Sequence, residues 1–369
     1  MPKFLHTADW QIGRTYVGLD PEVAPLLAQA RLAAVQRLAE LAAEQAVDAV
    51  LVAGDVFDAQ TVSDKWVRRL FQALAGFTGP WIMISGNHDA ALAQSVWTRA
   101  QALGCVPENV HLLLQPQVRE FEGFAVLAAP LTQRHCYDDL TAWMDTAPTP
   151  PGLVRIGLAH GSVQGLLHET IDSPNPIAPE RCAQARLDWL ALGDWHGMQV
   201  LNPHMAYSGT PEADRFHNNQ PGHALVVEIP APGALPTITP VAVGQYRWQR
   251  QAFTFVLEDD VEQAIAWLAA LTAQDVVHLQ LHGVLGWTQH QRLQTALAQA
   301  QAAACYVQLE QDDLRLAPSD AELANLQADG YVDTVLQQLR SESQQGDAAA
   351  QDALAVLTQA LWQQREAAV

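Results

Sequence analysis

Through its first 250 residues the chain alternates short, unbroken apolar runs with longer stretches whose apolar positions recur every three or four residues. An apolar run of about four to eight residues bounded by turn formers reads as a buried strand. A three-and-four spacing kept up for more than ten residues reads as a helix with one buried face. On this basis the segments starting at Phe4 and Pro80, together with Val50–Ala53, Phe124–Ala129, Val154–Ala159 and Leu187–Leu192, are predicted strands. Ala24–Ala46, with Leu27, Leu32, Val35, Leu38 and Leu41 on its spacing, and Asp64–Leu74 are predicted helices. Strands alternating with helices imply a layered α/β domain that binds ligands at the carboxyl ends of its strands.

The pattern changes after Ala206. Tyr207-Ser208-Gly209-Thr210-Pro211 precedes a predicted strand at Ala224–Ile229, and the proline-rich run Pro230–Pro236 reads as a hairpin loop or linker. A strand over Thr237–Val243 should close the first domain, with a boundary near Arg247. Beyond it, strands at Phe253–Leu257, Val276–Leu281 and Tyr306–Leu309 and helices at Val261–Leu271 and Gln289–Ala303 make a small α/β cap. The Ala- and Gln-rich end predicts helices near Ala321–Arg340 and Ala348–Trp362. Val332, Val335, Leu336 and Leu339 share one face there, which either packs on the cap or receives a partner helix. The expected division is 1–246, 247–318 and 319–369. No fixed-period repeat interrupts it.

At 369 residues and 49% apolar, the chain can bury more than one core. It has no apolar stretch of about 20 residues, so no membrane span is expected. The N-terminus enters a strand directly, without the basic and apolar regions of a signal peptide. Cys105, Cys136, Cys182 and Cys305 are widely spaced and read as free thiols of a reducing cytoplasm. The formal charge of −20 excludes attraction of a nucleic acid by the general field of the protein, which would require a basic surface. From Gln251 to Val369 four Arg and no Lys face sixteen Asp plus Glu, so −12 of that charge lies in the last third. Any nucleic-acid contact must come from local Arg groups, bound cations or a partner subunit.

The strand ends carry the chemistry. Five apolar strands run out into Asp9, Gly54-Asp55, Gly86-Asn87-His88-Asp89, His160 and Asp194-Trp195-His196, in that order. Oxygen and imidazole donors suit hard divalent cations, and a pair of ions about 3.5–4 Å apart can clamp both ends of an in-line phosphoryl displacement. Asp55 is the expected bridge, since Gly54 lets the backbone turn tightly beside it. Asp9 and His196 would complete one ion's ligands, and Asn87 and His160 the other's. An ion pair lowers the pKa of a water towards neutrality, and His88 would protonate the leaving oxygen or stabilise phosphoryl charge. Taken singly, Asp9 could cap a helix, Asp55 could serve a turn, and His160 could be a core imidazole; the ordered set is what points to metal. His6 is expected in the core or behind the ligands. His111, His135, His168, His204 and His217 have no supporting pattern. The tryptophans are scattered and read as core, with Trp10 and Trp195 lying between ligand positions.

His6-Thr7-Ala8-Asp9-Trp10, Gly54-Asp55-Val56-Phe57-Asp58, Gly86-Asn87-His88-Asp89 and Tyr207-Ser208-Gly209-Thr210-Pro211 resemble the calcineurin-like metallophosphoesterase superfamily, and within it the SbcD-type DNA repair exonuclease branch. The resemblance covers about residues 1–245 strongly and the last third more loosely. It implies a four-layer αββα sandwich, a di-manganese site, hydrolysis of DNA phosphodiesters, and an SbcC-type coiled-coil ATPase partner held partly by the C-terminal helices. A homodimer is compatible with it.

Two positions depart from the family pattern. The first motif normally reads Asp-x-His and here is Asp9-Trp10-Gln11; the fifth normally reads Gly-His-x-His and here is Gly193-Asp194-Trp195-His196. Gln11 is expected either to ligate through its neutral oxygen or to bond a water on the metal. Asp194 remains a competent ligand for the second ion. A more oxygen-rich set shifts preference from zinc or iron towards manganese or magnesium. Arg14, Arg68, Arg69, Arg134 and Arg215 are candidate phosphate contacts or ordinary surface charges. The leading expectation is a metal-dependent nuclease acting on DNA. The alternatives are a phosphodiesterase for small nucleotides or other phosphate esters, which the acidic surface favours, and a non-catalytic scaffold for an ATPase.

Overall fold

Alternation along the strands decides the architecture. In the strand Ala49–Val52 every residue is buried, and successive side chains point to opposite faces. Val50 and Val52 join one hydrophobic cluster, and Ala49 and Leu51 another. A strand apolar on both faces must be covered on both. The structure, a computed structural model, describes residues 1–165, 174–217, 219–317 and 330–366. It divides into two compact units, Met1–Tyr246 and Arg247–Val369.

In the first unit two six-stranded sheets are present among the described residues. One has the order Thr237–Ala242, His223–Glu228, Lys3–Thr7, Ala49–Val52, Trp81–Met83 and Val110–Leu112. The other has the order Gln199–Asn202, Met205–Tyr207, Trp189–Gly193, Val154–His160, Phe124–Ala129 and Gln117–Phe121. The central strands of each sheet are parallel; antiparallel strands close both edges of the second sheet and one edge of the first, whose other edge strand, Val110–Leu112, is parallel to its neighbour.

Phe4, Leu51, Ile82, Val126, Ile156, Leu158, Trp189 and Leu225 fill the space between the sheets. The outer face of the first sheet meets helices Val23–Glu44, Asp64–Ala73 and Val96–Ala102 through Leu5, Val50, Val52, Leu38, Leu70 and Trp97. The outer face of the second sheet is covered by the helix Arg181–Gln184 and the short turn Ala142–Asp145, with Leu127, Leu190, Tyr207, Cys182 and Met144 between them. This is the expected four-layer αββα sandwich.

Register carries the strand ends to one edge. Thr7 is paired with Val52, and Val52 with Met83, so the first three strands finish level. Gly193 is paired with His160 in the other sheet.

The second unit is a parallel sheet of Arg247–Phe255, Asp275–Leu285, Tyr306–Glu310 and Leu314–Leu316, packed with helices Glu258–Ala269 and Trp287–Ala303. Its first strand corrects the expected Phe253–Leu257. It begins at Arg247 and ends at Phe255, while Val256 and Leu257 stand 79% and 69% exposed beyond it. Arg247–Gln251 carries only half-buried or exposed side chains, all but Trp248 polar, on an edge strand, so backbone pairing rather than apolar burial forms it. Helix Tyr331–Gln344 follows; residues 321–329 of the predicted Ala321–Arg340 helix lie outside the described residues, as does His168. Leu336 is buried in this unit, with Val332, Val335 and Leu339 half-buried beside it. Helix Ala348–Glu366 completes the unit. Among the described residues no helix is long and apolar enough to cross a membrane.

Candidate metal centre

Where the two level edges meet, the backbone is forced into unusual shapes. Asp9, Gln11, Asp55 and Asp194 have φ of 56°, 45°, 52° and 103°. The left-handed region is unfavourable for residues with a Cβ and costs on the order of 1–3 kcal/mol at each. Neighbouring bonds hold these turns in place. The amides of Asp9 and Gln11 donate to the carbonyls of Gly54 and Asp55, at 3.1 and 2.9 Å. The guanidinium of Arg31, 1% exposed, donates to the carbonyls of Trp10, Asp9 and Glu212 at 2.7, 2.9 and 3.0 Å and to Thr210 Oγ1 at 2.9 Å. Thr210 Oγ1 in turn donates to the Asp9 carbonyl at 2.8 Å, which gives the Gly209-Thr210-Pro211 motif a structural task.

Glycine is required where the loops touch. Gly54 has φ +86°, and a Cβ there would lie 2.5 Å from His160 Nδ1. A Cβ on Gly86 would overlap the Asp55 carboxylate.

These turns aim one side chain after another inward. Oxygen and nitrogen donors of Asp9, Asp55 and His160 lie within 4.8 Å of one another, and all three residues are buried. His160 Nε2 is 3.6 Å from Asp55 Oδ1 and 3.7 Å from Asp194 Oδ1. Its Nδ1 faces the Ala53 carbonyl at 2.8 Å, so that nitrogen donates and Nε2 is the one turned to the carboxylates. The amide end of Asn87 lies 3.0 Å from His160 Nε2. With its nitrogen turned inward it would also reach both Asp55 oxygens, at 3.1 and 3.2 Å. Asp9 Oδ1 accepts from the Asp194 amide at 3.2 Å. His196 completes the ring, with Gln11 Nε2 3.2 Å from its Nε2.

The charges are out of balance in a way that suits a cation. Burial pushes the Asp9 carboxyl well above the ordinary carboxylate range, and Asp55 and Asp194 add to the effect while His160 opposes it. Asp194 is raised for the same reasons, burial first. Burial alone would lower His160, but Asp55, Asp9 and Asp194 override it and raise the imidazole to about 9. The protein thus draws a proton into a cluster of carboxylates whose compact, oxygen-rich donor set fits a hard divalent ion.

Behind the donors lie groups that hold them. Asp89, one residue past the Asn87-His88 pair, accepts from the amides of Val56, Phe57 and Gly86 at 2.8, 3.1 and 2.6 Å, clamping the Asp55 loop to the Asn87 loop. Burial, with Asp55 nearby, raises its carboxyl to about 7. Asp214 Oδ2 lies 3.1 Å from His196 Nδ1, and Arg215 Nε donates to Asp214 Oδ1 at 3.0 Å. Burial would raise Asp214, but His196, Arg31 and Arg215 hold it well below the usual range. His6 sits between the sheets, its Nε2 3.1 Å from the Leu192 carbonyl, and burial lowers it to about 3, so it is a neutral core group.

A cavity of about 320 Å³ opens over the donors, lined by Asp55, Asn87, His88, Ser162, Asp194, Trp195, His196, Arg215, His217 and Asn219. The structure therefore brings Asp9, Asp55, Asn87, His88, His160, Asp194 and His196 together. Gln11 is present too, but its Oε1 is turned to Arg14, which donates to it at 2.7 Å. Arg14 also meets Asp58 and Asp214, each at 3.4 Å, so it lies at the rim of the cluster. Arg69 is half-buried, its guanidinium stacked 4.8 Å over Trp66 and bonded to Gln29, and Arg134 is exposed; neither lines the cavity.

Sequence reasoning missed Asp214, Arg31 and Asp89 as supports. Arg31 left a signal, since it falls four residues after Leu27 and four before Val35 on the buried stripe of its helix. Asp214 left none, because nothing in its neighbourhood marks it as the partner of a histidine 18 residues earlier.

Residues 2–227 match the calcineurin-like phosphoesterase family. The uncharacterized metallophosphoesterase YhaO of Bacillus subtilis strain 168 is 27% identical over 226 residues, covering 57% of this chain and 53% of YhaO. The SbcD component of the nuclease SbcCD from Rhodobacter capsulatus is 45% identical over 94 residues, covering 24% of this chain and 22% of that component. The chain thus spans about half the length of the first of these relatives and about a fifth of the second.

Proposed function

The chain belongs to the calcineurin-like phosphoesterase family, and from that premise we propose that it is a two-metal phosphodiesterase acting on DNA in repair. What carries the reading is the meeting of Asp9, Asp55, Asn87, His160, Asp194 and His196 under one open cavity, from strand ends up to about 190 residues apart in the chain. Asp55 would be shared by the two ions. Asp9 and His196 would hold one, with Gln11 beside them; Asn87, His160 and Asp194 would hold the other. Manganese or magnesium suits these donors. When bound, the cation pair lowers the pKa of the attacking water and offsets charge on the phosphoryl oxygens.

The chain's own residues do the rest. His88 Nδ1 lies 2.7 Å from the Asp58 carbonyl and donates to it, which leaves Nε2 to meet the leaving oxygen. The His88 backbone amide donates to Asp55 Oδ1 at 2.9 Å, which ties the backbone that carries the imidazole to that carboxylate. Arg215, anchored on Asp214, lines the cavity and offers its guanidinium to a non-bridging phosphate oxygen. DNA as the substrate, and an SbcC-type ATPase as the partner, are supported by the likeness to the SbcCD nuclease.

A second reading, hydrolysis of small phosphodiesters, is favoured by the net charge of −20, since a small ester needs no basic track. One assay separates the two. The purified protein with manganese is given labelled single- and double-stranded DNA and a chromogenic phosphodiester. Cleavage of DNA, reduced at least about a thousandfold by Asp55→Ala, is expected. Cleavage of the chromogenic ester alone supports the second reading. Hydrolysis that Asp55→Ala leaves intact overturns both.

A further inference from the structure

Two amides point into the cluster, and the protein treats them differently. Asn87 sits on the His160 side, and the bonds its amide makes are all to His160 and Asp55, so nothing outside the cluster dictates which end faces in. Gln11 sits on the His196 side and has no such freedom. Its side chain is 1% exposed, its backbone is left-handed with φ 45°, and its amide donates to the Asp55 carbonyl at 2.9 Å. Arg14 donates to its Oε1 at 2.7 Å. A guanidinium has donors only, so it accepts the oxygen end and rejects the nitrogen end. Arg14 is itself held by Asp58 and Asp214, each at 3.4 Å.

With the oxygen held outside, the Gln11 nitrogen is driven inward. It donates to Asp55 Oδ2 at 3.3 Å and lies 3.2 Å from His196 Nε2. His196 Nδ1 lies 3.1 Å from the Asp214 carboxylate and 2.6 Å from Arg215 Nη2, which is also 3.2 Å from Nε2; with Nδ1 donating to Asp214, the Nε2 lone pair faces the Gln11 N–H beside that guanidinium. One NH₂ group therefore engages the two lone pairs that the first ion would need.

We propose that Gln11, oriented by Arg14, is an internal competitor for the first cation position, making the two positions unequal. The position around Asn87, His160 and Asp194 fills at low metal concentration. The position between Asp9, Asp55 and His196 fills only when the Gln11 amide is displaced. The inference rests on the two-metal reading above and adds to it an order of filling set by a positioning residue. The competitor is an amide rather than a charged group, so it can be displaced without burying a new charge.

The test is a binding measurement on the full chain, independent of turnover. Manganese is titrated into metal-free protein, with free ion followed by its paramagnetic resonance signal and ion pairs by their spin coupling. The expected result is one tight ion and a second at least tenfold weaker. Gln11→Glu, which exchanges the donor for a carboxylate, and Arg14→Ala, which frees the amide to turn its oxygen inward, should each strengthen the second ion at least tenfold. Thermal melting of each metal-free variant shows whether it is folded. Two equally tight ions in the unaltered protein, or variants that fold yet leave the second ion weak, overturn the proposal. Failure of any variant or of the parent chain to bind even one ion overturns the metal reading beneath it instead.

Discussion

Asp9 in the first unit and Asp275 in the second are both aspartates with 1% exposure or less, and they are in opposite states. Asp275 accepts from Arg247 Nε and Nη2 at 2.9 Å each, from the amide and hydroxyl of Thr272 at 2.8 and 2.9 Å, and from Gln249 at 2.7 Å. Burial would raise its carboxyl, but the Thr272 amide and Arg247 outweigh burial and hold it below the ordinary range. Asp9 has the Asp194 amide at 3.2 and 3.3 Å and two further carboxylates nearby, and it is pushed up. A carboxylate whose lone pairs the protein uses fully is part of the fold. One left short of donors among its own kind is arranged for a charge from outside.

The backbones differ in the same sense. Every described non-glycine residue with a left-handed φ lies in the first unit, and four of the eight are Asp9, Gln11, Asp55 and Asp194. In the second unit that conformation is left to Gly283, Gly330 and Gly346. Backbone strain collects where loops must converge, and it is held there by groups such as Arg31.

Removing a support should break the comparison most sharply. Arg31→Ala removes the guanidinium donor from the Trp10, Asp9 and Glu212 carbonyls and should cost the first unit about 3 kcal/mol. Hydrogen exchange in the strands Lys3–Thr7 and Ala49–Val52 would report the loss. Next in size, Asp275→Asn should cost the second unit roughly 2 kcal/mol near neutral pH, read from denaturant unfolding.

The pH dependence of that difference has a definite sign. A carboxyl held below its unfolded value stabilises fully above about pH 4 and loses that contribution as pH falls through the folded value. The gap between Asp275→Asn and the parent protein should therefore be widest above pH 4 and shrink in acid.

Asp194→Asn should act in the opposite direction. Asn tolerates the same left-handed backbone but removes a charge beside Asp9 and Asp55. The metal-free protein should gain roughly 1 kcal/mol and manganese should bind at least tenfold more weakly, measured by melting and metal titration. A loss of metal-free stability would contradict the picture of a site held short of positive charge. The smallest effect belongs to Arg69→Ala. It should change stability by less than about 0.5 kcal/mol and leave the proposed phosphodiester hydrolysis unchanged, because Arg69 stacks on Trp66 away from the cavity.

What was legible follows the physics of burial. The strands Phe124–Ala129 and Val154–His160 announce themselves because two covered faces demand apolar side chains, and the helix Val23–Glu44 because its one buried face repeats every three or four residues. Arg247–Phe255 and Gln117–Phe121 are edge strands with solvated side chains, held by pairing to one neighbour, and apolar periodicity does not mark their extent. Among the candidate site residues, Arg14 and Arg215 meet the cluster while Arg69 and Arg134 do not. A charged side chain on a loop or a helix surface carries no sign of the direction it takes.

By itself the sequence determined which donors stand at which strand ends, and in what order, because each turn needs its own glycine, aspartate or asparagine locally. The tertiary structure alone decided that those ends meet, that Asp214 backs His196, and that Gln11 presents nitrogen rather than oxygen. A hydrogen bond takes its direction from both partners, and when one lies 185 residues away, as His196 does from Gln11, only the folded chain brings it within reach.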